Sequence, residues 1–324
     1  MVVSKCRAVP GLSGQAANFR NVSMARFLVT GGTGFIGSAL LPRLVDAGHE
    51  VVVFTRMPDK FAGQFGNAVS FIDSFDAVSG ETCFQAVINL AGEGIGDKRW
   101  SEKRKQQLLD SRINTTRDLV SCLARLQALP EVMISGSAVG WYGAQGEKPL
   151  KEEDDYVKEF SHAICQQWEE AAAEVKDLGV RLCIVRLGVV LERGGGVIKK
   201  LLPPFKCGLG GPISSGQQMM SWIHMNDVIN AFNFLINNSQ LDGIFNLAAP
   251  AAVDSKTFSR ALGRAISRPA FLPLPGFMVK LLFGEMGDRL LLHGQNVVPA
   301  RLLDNGFEFE YPDIEAAFAG VFPK

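Results

Sequence analysis

The chain has 324 residues, with 33 Lys and Arg balanced by 33 Asp and Glu, and 47% of its residues are hydrophobic. That length and apolar content support a substantial core in one large domain with a smaller lobe, and the balanced charge offers no general attraction for nucleic acid or an acidic membrane. No apolar run approaches the roughly 20 residues that a bilayer-spanning helix needs.

Residues 1–23 carry Lys5, Arg7 and Arg20 and no acidic residue, and they lack the continuous apolar centre of a secretion signal. Two readings stand side by side: an organelle-targeting or disordered extension, or a native start at Met24, immediately before the first strand. The cysteines at positions 6, 83, 122, 165, 183 and 207 are scattered, with no C-x-x-C pair and no clustered His. They indicate neither a zinc site nor a disulfide scaffold, and reduced thiols in a cytosol-like compartment are expected.

The segment Arg26–Gly37, RFLVTGGTGFIG, joins a short β-type run to three glycines spaced Gly31-x-x-Gly34-x-x-Gly37 and then to a helical pattern. Gly31 permits the tight turn, Gly34 lets the backbone approach a phosphate, and Gly37 lets the helix pack against the sheet. Thr33, Phe35 and Ile36 complete the loop and the first helical turn, whose free N–H groups favour an anion. The apolar positions Phe35, Ile36, Leu40, Leu41 and Leu44 and a stop at Gly48 lead to a second strand, Glu50–Thr55. This strand–turn–helix–strand unit predicts a dinucleotide site. Pro42 is a blemish expected to bend the helix or cost it stability.

Where an NAD-preferring site places an acidic residue, the second strand ends in Thr55 and Arg56. A guanidinium can grip a 2′-phosphate that a carboxylate would repel, so NADP is preferred, with NAD as the alternative. Further strands are expected at Ala86–Ala91, Val132–Ser135, Leu182–Leu187 and Ile244–Leu247, alternating with helices near Ser101–Leu126 and Phe160–Leu178. The alternation predicts an α/β, Rossmann-like, doubly wound parallel sheet.

On the first of those helices, Leu109, Ile113, Thr116, Val120 and Leu123 form one stripe, and Arg112 lies along its margin. A half-buried cation there needs a partner, either a cofactor phosphate or ribose or a structural carboxylate such as Glu93. Beyond Leu191, glycines and prolines break any regular pattern. Residues 251–324 then hold helical patterns at Lys256–Ser267 and Gly276–Phe283. The expected organisation is a dinucleotide-binding domain over 24–250, with substrate-lobe insertions around 192–225, and a small C-terminal cap lobe over 251–324 at the carboxyl edge of the sheet.

Five motifs occur in order: the Gly31–Gly37 loop, Asn89-Leu90-Ala91-Gly92-Glu93, Ser135–Gly143, Arg186–Leu191 and Trp222–Asp227. Together they resemble the atypical or extended short-chain dehydrogenase/reductase superfamily, of the NAD-dependent epimerase/dehydratase type. Asp97-Lys98-Arg99-Trp100, Ser111-Arg112 and Gly208-Leu209-Gly210-Gly211-Pro212 bring the chain nearer to the YfcH-like epimerase family. The resemblance covers the chain from about Ala25 onward. It implies that Leu90, Ala91 and Gly92 run beneath the cofactor, with Glu93 and Ser135 among the cofactor-binding residues, that Val189 and Val190 lie near the nicotinamide, and that Ser137 takes the position of the superfamily's catalytic serine.

The same resemblance calls for a Tyr four residues before a Lys, whose lowered phenol pKa exchanges the proton as hydride moves. None of Tyr142, Tyr156 and Tyr311 is followed by such a Lys, and Ser161 and Cys165 stand at the equivalent places. Tyr142 and His162 are the candidate substitutes, with His224 further off. Two functions follow. One is an NADP(H)-dependent oxidoreductase or epimerase-like enzyme on a small carbonyl or sugar-nucleotide-like substrate. The other is a non-catalytic NADP(H)-binding regulator. A small molecule is the expected partner, with no nucleic acid, membrane or metal, and a homodimer is left open. The expected location is cytoplasmic, or organellar if residues 1–23 are a targeting segment.

Overall fold

The computed structural model describes Phe19 and residues 24–323; the expectation for residues 1–23 otherwise lies outside the described residues. Seven strands form the central sheet: β1 (Arg26–Thr30), β2 (Glu50–Phe54), β3 (Val69–Ile72), β4 (Ala86–Asn89), β5 (Val132–Ala138), β6 (Arg181–Leu187) and β7 (Gly243–Leu247). Their order is β7-β6-β5-β4-β1-β2-β3, and every neighbouring pair is parallel. The strand order reverses between β1 and β4, so the carboxyl ends of those two strands open the crevice where a doubly wound sheet receives its ligand.

Alternating residues of each strand enter two cores. Phe27, Val29, Val51, Val53 and Ile88 pack with helix α1 (Phe35–Asp46) and with Val228, Phe232 and Leu235 on one face. Leu28, Val87, Met133 and Ile184 pack with Leu119 and Leu123 on the other. Both faces are therefore dry, which is why the strands read as near-continuous apolar runs. Each fully buried Leu or Val contributes about 1.5–3 kcal/mol. Phe19 joins the first core, edge-on to Phe27 and His49.

Helix α2 (Glu102–Ala124) buries Leu108, Thr116, Leu119, Val120 and Leu123, leaving Leu109 and Ile113 at the margin of the packed face. Helix α3 (Phe160–Ala173) ends where a 3₁₀ stretch takes over to Leu178. Beyond the expected broken region lies a regular helix, α4 (Gly196–Lys206), which continues through Pro203 and Pro204. Its buried stripe of Ile198, Leu202 and Phe205 outweighs the two lost N–H donors. The same logic carries α1 unbroken through Pro42, with Leu40, Leu41 and Leu44 buried around it.

Helices α5 (Met225–Asn237), α6 (Ser255–Ala265), α7 (Gly276–Gly287), α8 (Ala300–Asp304) and α9 (Ile314–Val321) complete the chain. A separate cluster built on Leu202, Phe205, Trp222, Phe258, Leu262 and Phe318 forms the core of the C-terminal lobe. Among the described residues no helix is long and apolar enough to cross a membrane. Cys122, Cys165, Cys183 and Cys207 are free thiols; Cys83 is disulfide-bonded, against the expectation of reduced thiols throughout.

Candidate cofactor and active site

The glycine loop leaves β1 with Gly31 at φ 69°, a left-handed turn that a side chain resists. A Cβ at Gly31 would lie 2.5 Å from the Leu90 carbonyl oxygen, and one at Gly37 would lie 2.4 Å from the Gly31 oxygen. Gly34 differs. It is exposed, it caps α1 without a side-chain bond, and a Cβ there would meet only the Gly31 oxygen, at 3.1 Å. Open space in front of bare helix-terminal amides is the shape and polarity a diphosphate needs. Thr33 lies within 3.5 Å of Thr55, hydroxyl to hydroxyl, so the loop meets the end of β2. The Phe35 ring packs against Gly195 and Gly196 at the start of α4, where a Cβ on Gly195 would fall 2.3 Å from it. The large domain and the lobe thus close on each other at the loop.

Beneath this loop a buried polar network ties three strands together. Thr30 donates to Asn89 Oδ1 at 2.7 Å, and Asn89 Nδ2 donates to Thr116 at 2.9 Å and Ser135 at 3.1 Å. Trp168 Nε1 donates to the same Thr116 hydroxyl, and the Ala91 N–H donates to Thr30 Oγ1. The network is complete, so it rigidifies the turn from Leu90 to Gly92 instead of leaving it a loose loop.

Arg56 is 80% exposed in its side chain, and among the described residues its one ion pair is a 3.5 Å contact with Glu93. Glu93 is held chiefly by Arg104, which also donates to the Gly94 carbonyl and pulls the Glu93 carboxyl below its ordinary range. Among the described residues Arg112 pairs with no carboxylate. It donates to the Leu108 and Glu93 carbonyls at 3.0 and 2.9 Å, over the Trp168 ring. Gly92 faces it, with room for no side chain: a Cβ would lie 2.9 Å from the guanidinium carbon. Burial draws Arg112 down to about 10. Its structural partners are therefore backbone, while the Glu93 carboxylate goes to Arg104.

At the end of β5, Ser137 is 2% exposed and donates to Glu169 Oε1 at 2.6 Å. Arg186, 1% exposed, clamps both oxygens of Glu169, at 2.9 and 3.0 Å, and lies 3.6 Å from the Trp141 ring centre. Arg186 also donates to the Tyr142 hydroxyl, which donates in turn to Asn246 at 2.7 Å. Burial pushes Tyr142 up to about 12, away from the neutral range in which a general acid works best. Tyr142 thus reaches Ser137 through Arg186 and Glu169. His162 faces elsewhere: its Nδ1 pairs with the Trp141 carbonyl at 2.6 Å and its ring stacks on Tyr156 at 3.7 Å.

Ser161 and Cys165, at the places where the superfamily pair would fall, do face the end of β5, since a Cβ on Gly140 would meet them at 3.3 and 3.9 Å. Ser161 donates to Glu159, and burial pushes the Cys165 thiol up to about 11. Val189 begins a short strand paired in parallel with Trp222–His224, so the two motifs are neighbours in the lobe. Glu169 and Arg186 were not singled out from sequence. The signal was present: a charged residue inside the apolar run Leu182–Leu187 demands a buried counter-charge, and Glu169 lies one helical turn after Cys165.

The fold and the loop define a Rossmann-type dinucleotide-binding protein with a second core at its C-terminal end. The model of the NAD-dependent epimerase/dehydratase family matches residues 27–248, and that of a domain of unknown function, DUF1731, matches residues 274–321. The chain belongs to the NAD-dependent epimerase/dehydratase family. It is 37% identical to the mouse epimerase family protein SDR39U1, over 91% of this chain and 99% of that protein. With the Arabidopsis thaliana SDR39U1 homologue, described as chloroplastic, it shares 38% identity over 90% of this chain and 85% of that one. The human SDR39U1 (isoform 2), solved with NADPH, superposes with a TM-score of 0.82 at 34% identity, covering 91% of this chain and 98% of that one.

Proposed function

We propose that this chain is an NADP(H)-binding atypical short-chain dehydrogenase/reductase, acting as an oxidoreductase or epimerase-like enzyme on a small carbonyl or sugar-nucleotide-like compound. One observation carries the nucleotide choice: β2 runs into Thr55 and an exposed Arg56 whose only ion pair among the described residues is long. A 2′-phosphate offers that guanidinium a better partner than a 3.5 Å contact, through two charge-assisted bonds. The NADPH in the human SDR39U1 structure supports the same choice.

In this reading the amides of Phe35 and Ile36 with Gly34 hold the diphosphate, and Thr55 with Arg56 holds the adenosine phosphate. Leu90, Ala91, Gly92 and Ser135 form the floor, with Val189 on the nicotinamide side. The bound nicotinamide supplies the hydride. Ser137 orients the substrate oxygen, and the Glu169–Arg186 clamp fixes its rotamer. Tyr142 holds Arg186 from below, and His162 shapes the wall with Trp141 and Tyr156. Ser137→Ala tests the assignment: NADPH affinity is retained while turnover across a carbonyl and nucleotide-sugar panel falls at least about tenfold, a smaller loss than the 10²- to 10⁴-fold of a lost proton-handling group. Unchanged turnover removes Ser137 from the chemistry.

A second reading rests on Cys165. A buried thiol stands where the superfamily chemistry needs an ammonium, which favours a protein that binds NADP(H) and reports its level. Tight NADPH binding with no consumption across the same panel selects it. The location is taken as cytoplasmic, with an organellar address through residues 1–23 as the alternative. Fluorescent fusions with and without those residues separate the two.

A further inference from the structure

The charge balance of the whole chain hides a local imbalance. Between Glu192 and Asp227 there is no acidic residue, yet Arg193, Lys199, Lys200 and Lys206 fall there. Between Asp254 and Glu285 there is again none, against Lys256, Arg260, Arg264, Arg268 and Lys280. Glu315, Asp97 and Asp288 neutralise Arg264, Lys200 and Lys280 from outside these stretches. Among the described residues Lys206, Arg260 and Arg268 form no ion pair.

Arg260, Arg264 and Arg268 line an open hollow of about 530 Å³ together with Ala270 and Phe271. Two backbone contacts, Gly210 with Ala270 and Leu272 with Gly210, bring the 208–212 loop beside it. Arg268 Nε donates to the Lys206 carbonyl across the same seam. Large apolar side chains stand in solvent at this edge: Leu209 at 64% exposure and Phe271 at 71%. Apolar side chains of this size rimmed by unpaired cations form a contact surface, not an ordinary soluble face.

We propose that this edge of the C-terminal lobe docks on an anionic phospholipid surface, Phe271 and Leu209 entering the headgroup boundary while Arg260, Arg268 and Lys206 meet lipid phosphates. The charge argues against a second copy seated face to face, since two such faces brought together would oppose cation to cation. Exposed Leu209 and Phe271 also suit an acyl boundary better than they suit a nucleic-acid backbone.

The test uses the full chain with sedimentable vesicles of phosphatidylcholine alone or of phosphatidylcholine containing phosphatidylserine. Expected is co-sedimentation with the anionic vesicles only, weakened by salt and reduced about fivefold for each of Arg260→Gln and Arg268→Gln. Phe271→Ser, an exposed change that leaves the circular dichroism melting curve in place, abolishes binding at constant charge. No pelleting with anionic vesicles, equal pelleting with neutral ones, or binding indifferent to all three substitutions overturns the proposal. So does a dimer in sedimentation velocity that Phe271→Ser dissolves, or capture by soluble polyglutamate without capture by vesicles.

Discussion

Replacing Gly34 by alanine separates a glycine needed by the fold from one needed by a ligand. Gly34 has φ −83° and ψ −174°, which alanine adopts without strain, and its added methyl would meet only the Gly31 oxygen, at 3.1 Å. Alanine is a poorer N-cap than glycine by about 0.5–1 kcal/mol, and the stiffer unfolded chain returns about 0.4–1 kcal/mol, so the two effects largely offset. Stability should therefore change by no more than about 1 kcal/mol, a shift of about 2 to 4 °C in melting temperature. Gly37→Ala is the counter-case. Its methyl would fall 2.4 Å from the Gly31 oxygen and 2.5 Å from the Gly32 Cα, both backbone, so the loop must open. Overpacking of that kind costs about 1–3 kcal/mol or more. Calorimetry for stability and NADPH fluorescence titration for affinity read both variants. Gly34→Ala should melt close to the parent yet bind NADPH at least about tenfold more weakly, a loss of about 1.4 kcal/mol. If Gly34→Ala binds with unchanged affinity, no diphosphate approaches these amides, and the reasoning about the loop is refuted.

Arg56→Asp should weaken NADPH at least about tenfold more than NADH, because only the phosphate loses its charge-assisted bonds; equal losses in parallel titrations defeat the NADP assignment. Glu169→Gln leaves Arg186, 1% exposed, without its counter-charge, so urea unfolding should show a loss of about 3–5 kcal/mol, and the double change Glu169→Leu with Arg186→Met should cost less than that. A double change costing the sum of the singles would show that the pair is not coupled. Asp227 is buried, and burial raises its carboxyl from 3.8 to about 6 against the Glu310 and Tyr311 amides that it accepts from. Between those values the fold binds the proton more tightly than the unfolded chain, so this residue's contribution to stability falls as pH rises from about 4 through 6, by up to ~3 kcal/mol. The stability difference between the parent and Asp227→Asn, measured at pH 4, 5, 6 and 7, should decline across that window; a flat or rising difference overturns the assignment.

Much of the sheet was legible because burial on both faces leaves its mark in composition. β1, β2, β4, β5, β6 and β7 were visible as apolar runs, with bounds one residue out in most cases, two at Asn89 and three at Ala138. β3 was missed because Val69–Ile72 is a short edge strand with Ser70 exposed, so its run of apolar residues is broken. α4 was hidden by the local signal itself: Pro203 and Pro204 argue against a helix, and only the tertiary demand to bury Ile198, Leu202 and Phe205 overrides them.

The site divides along a similar line. The glycine loop announces itself because phosphate-sized space and a left-handed turn require glycine at fixed spacing, so chemistry is written in consecutive residues. The clamp on Ser137 is not consecutive: Glu169 comes from α3, Arg186 from β6 and Asn246 from β7, joined only when β5, β6 and β7 lie side by side. What sequence could have supplied is the debt of a buried charge. Arg186 sits buried near the carboxyl end of β6, where an unpaired guanidinium is prohibitive, and helix α3, which packs across β5 and β6, carries a carboxylate at Glu169. From that pairing the rest follows: once Glu169 is clamped from one side by Arg186, its Oε1 also meets Ser137, and the hydroxyl at the end of β5 is held in one orientation toward the crevice wall. A serine so constrained serves an orienting role better than a mobile one, and that role is what a chain without the Tyr-x-x-x-Lys pair still has available.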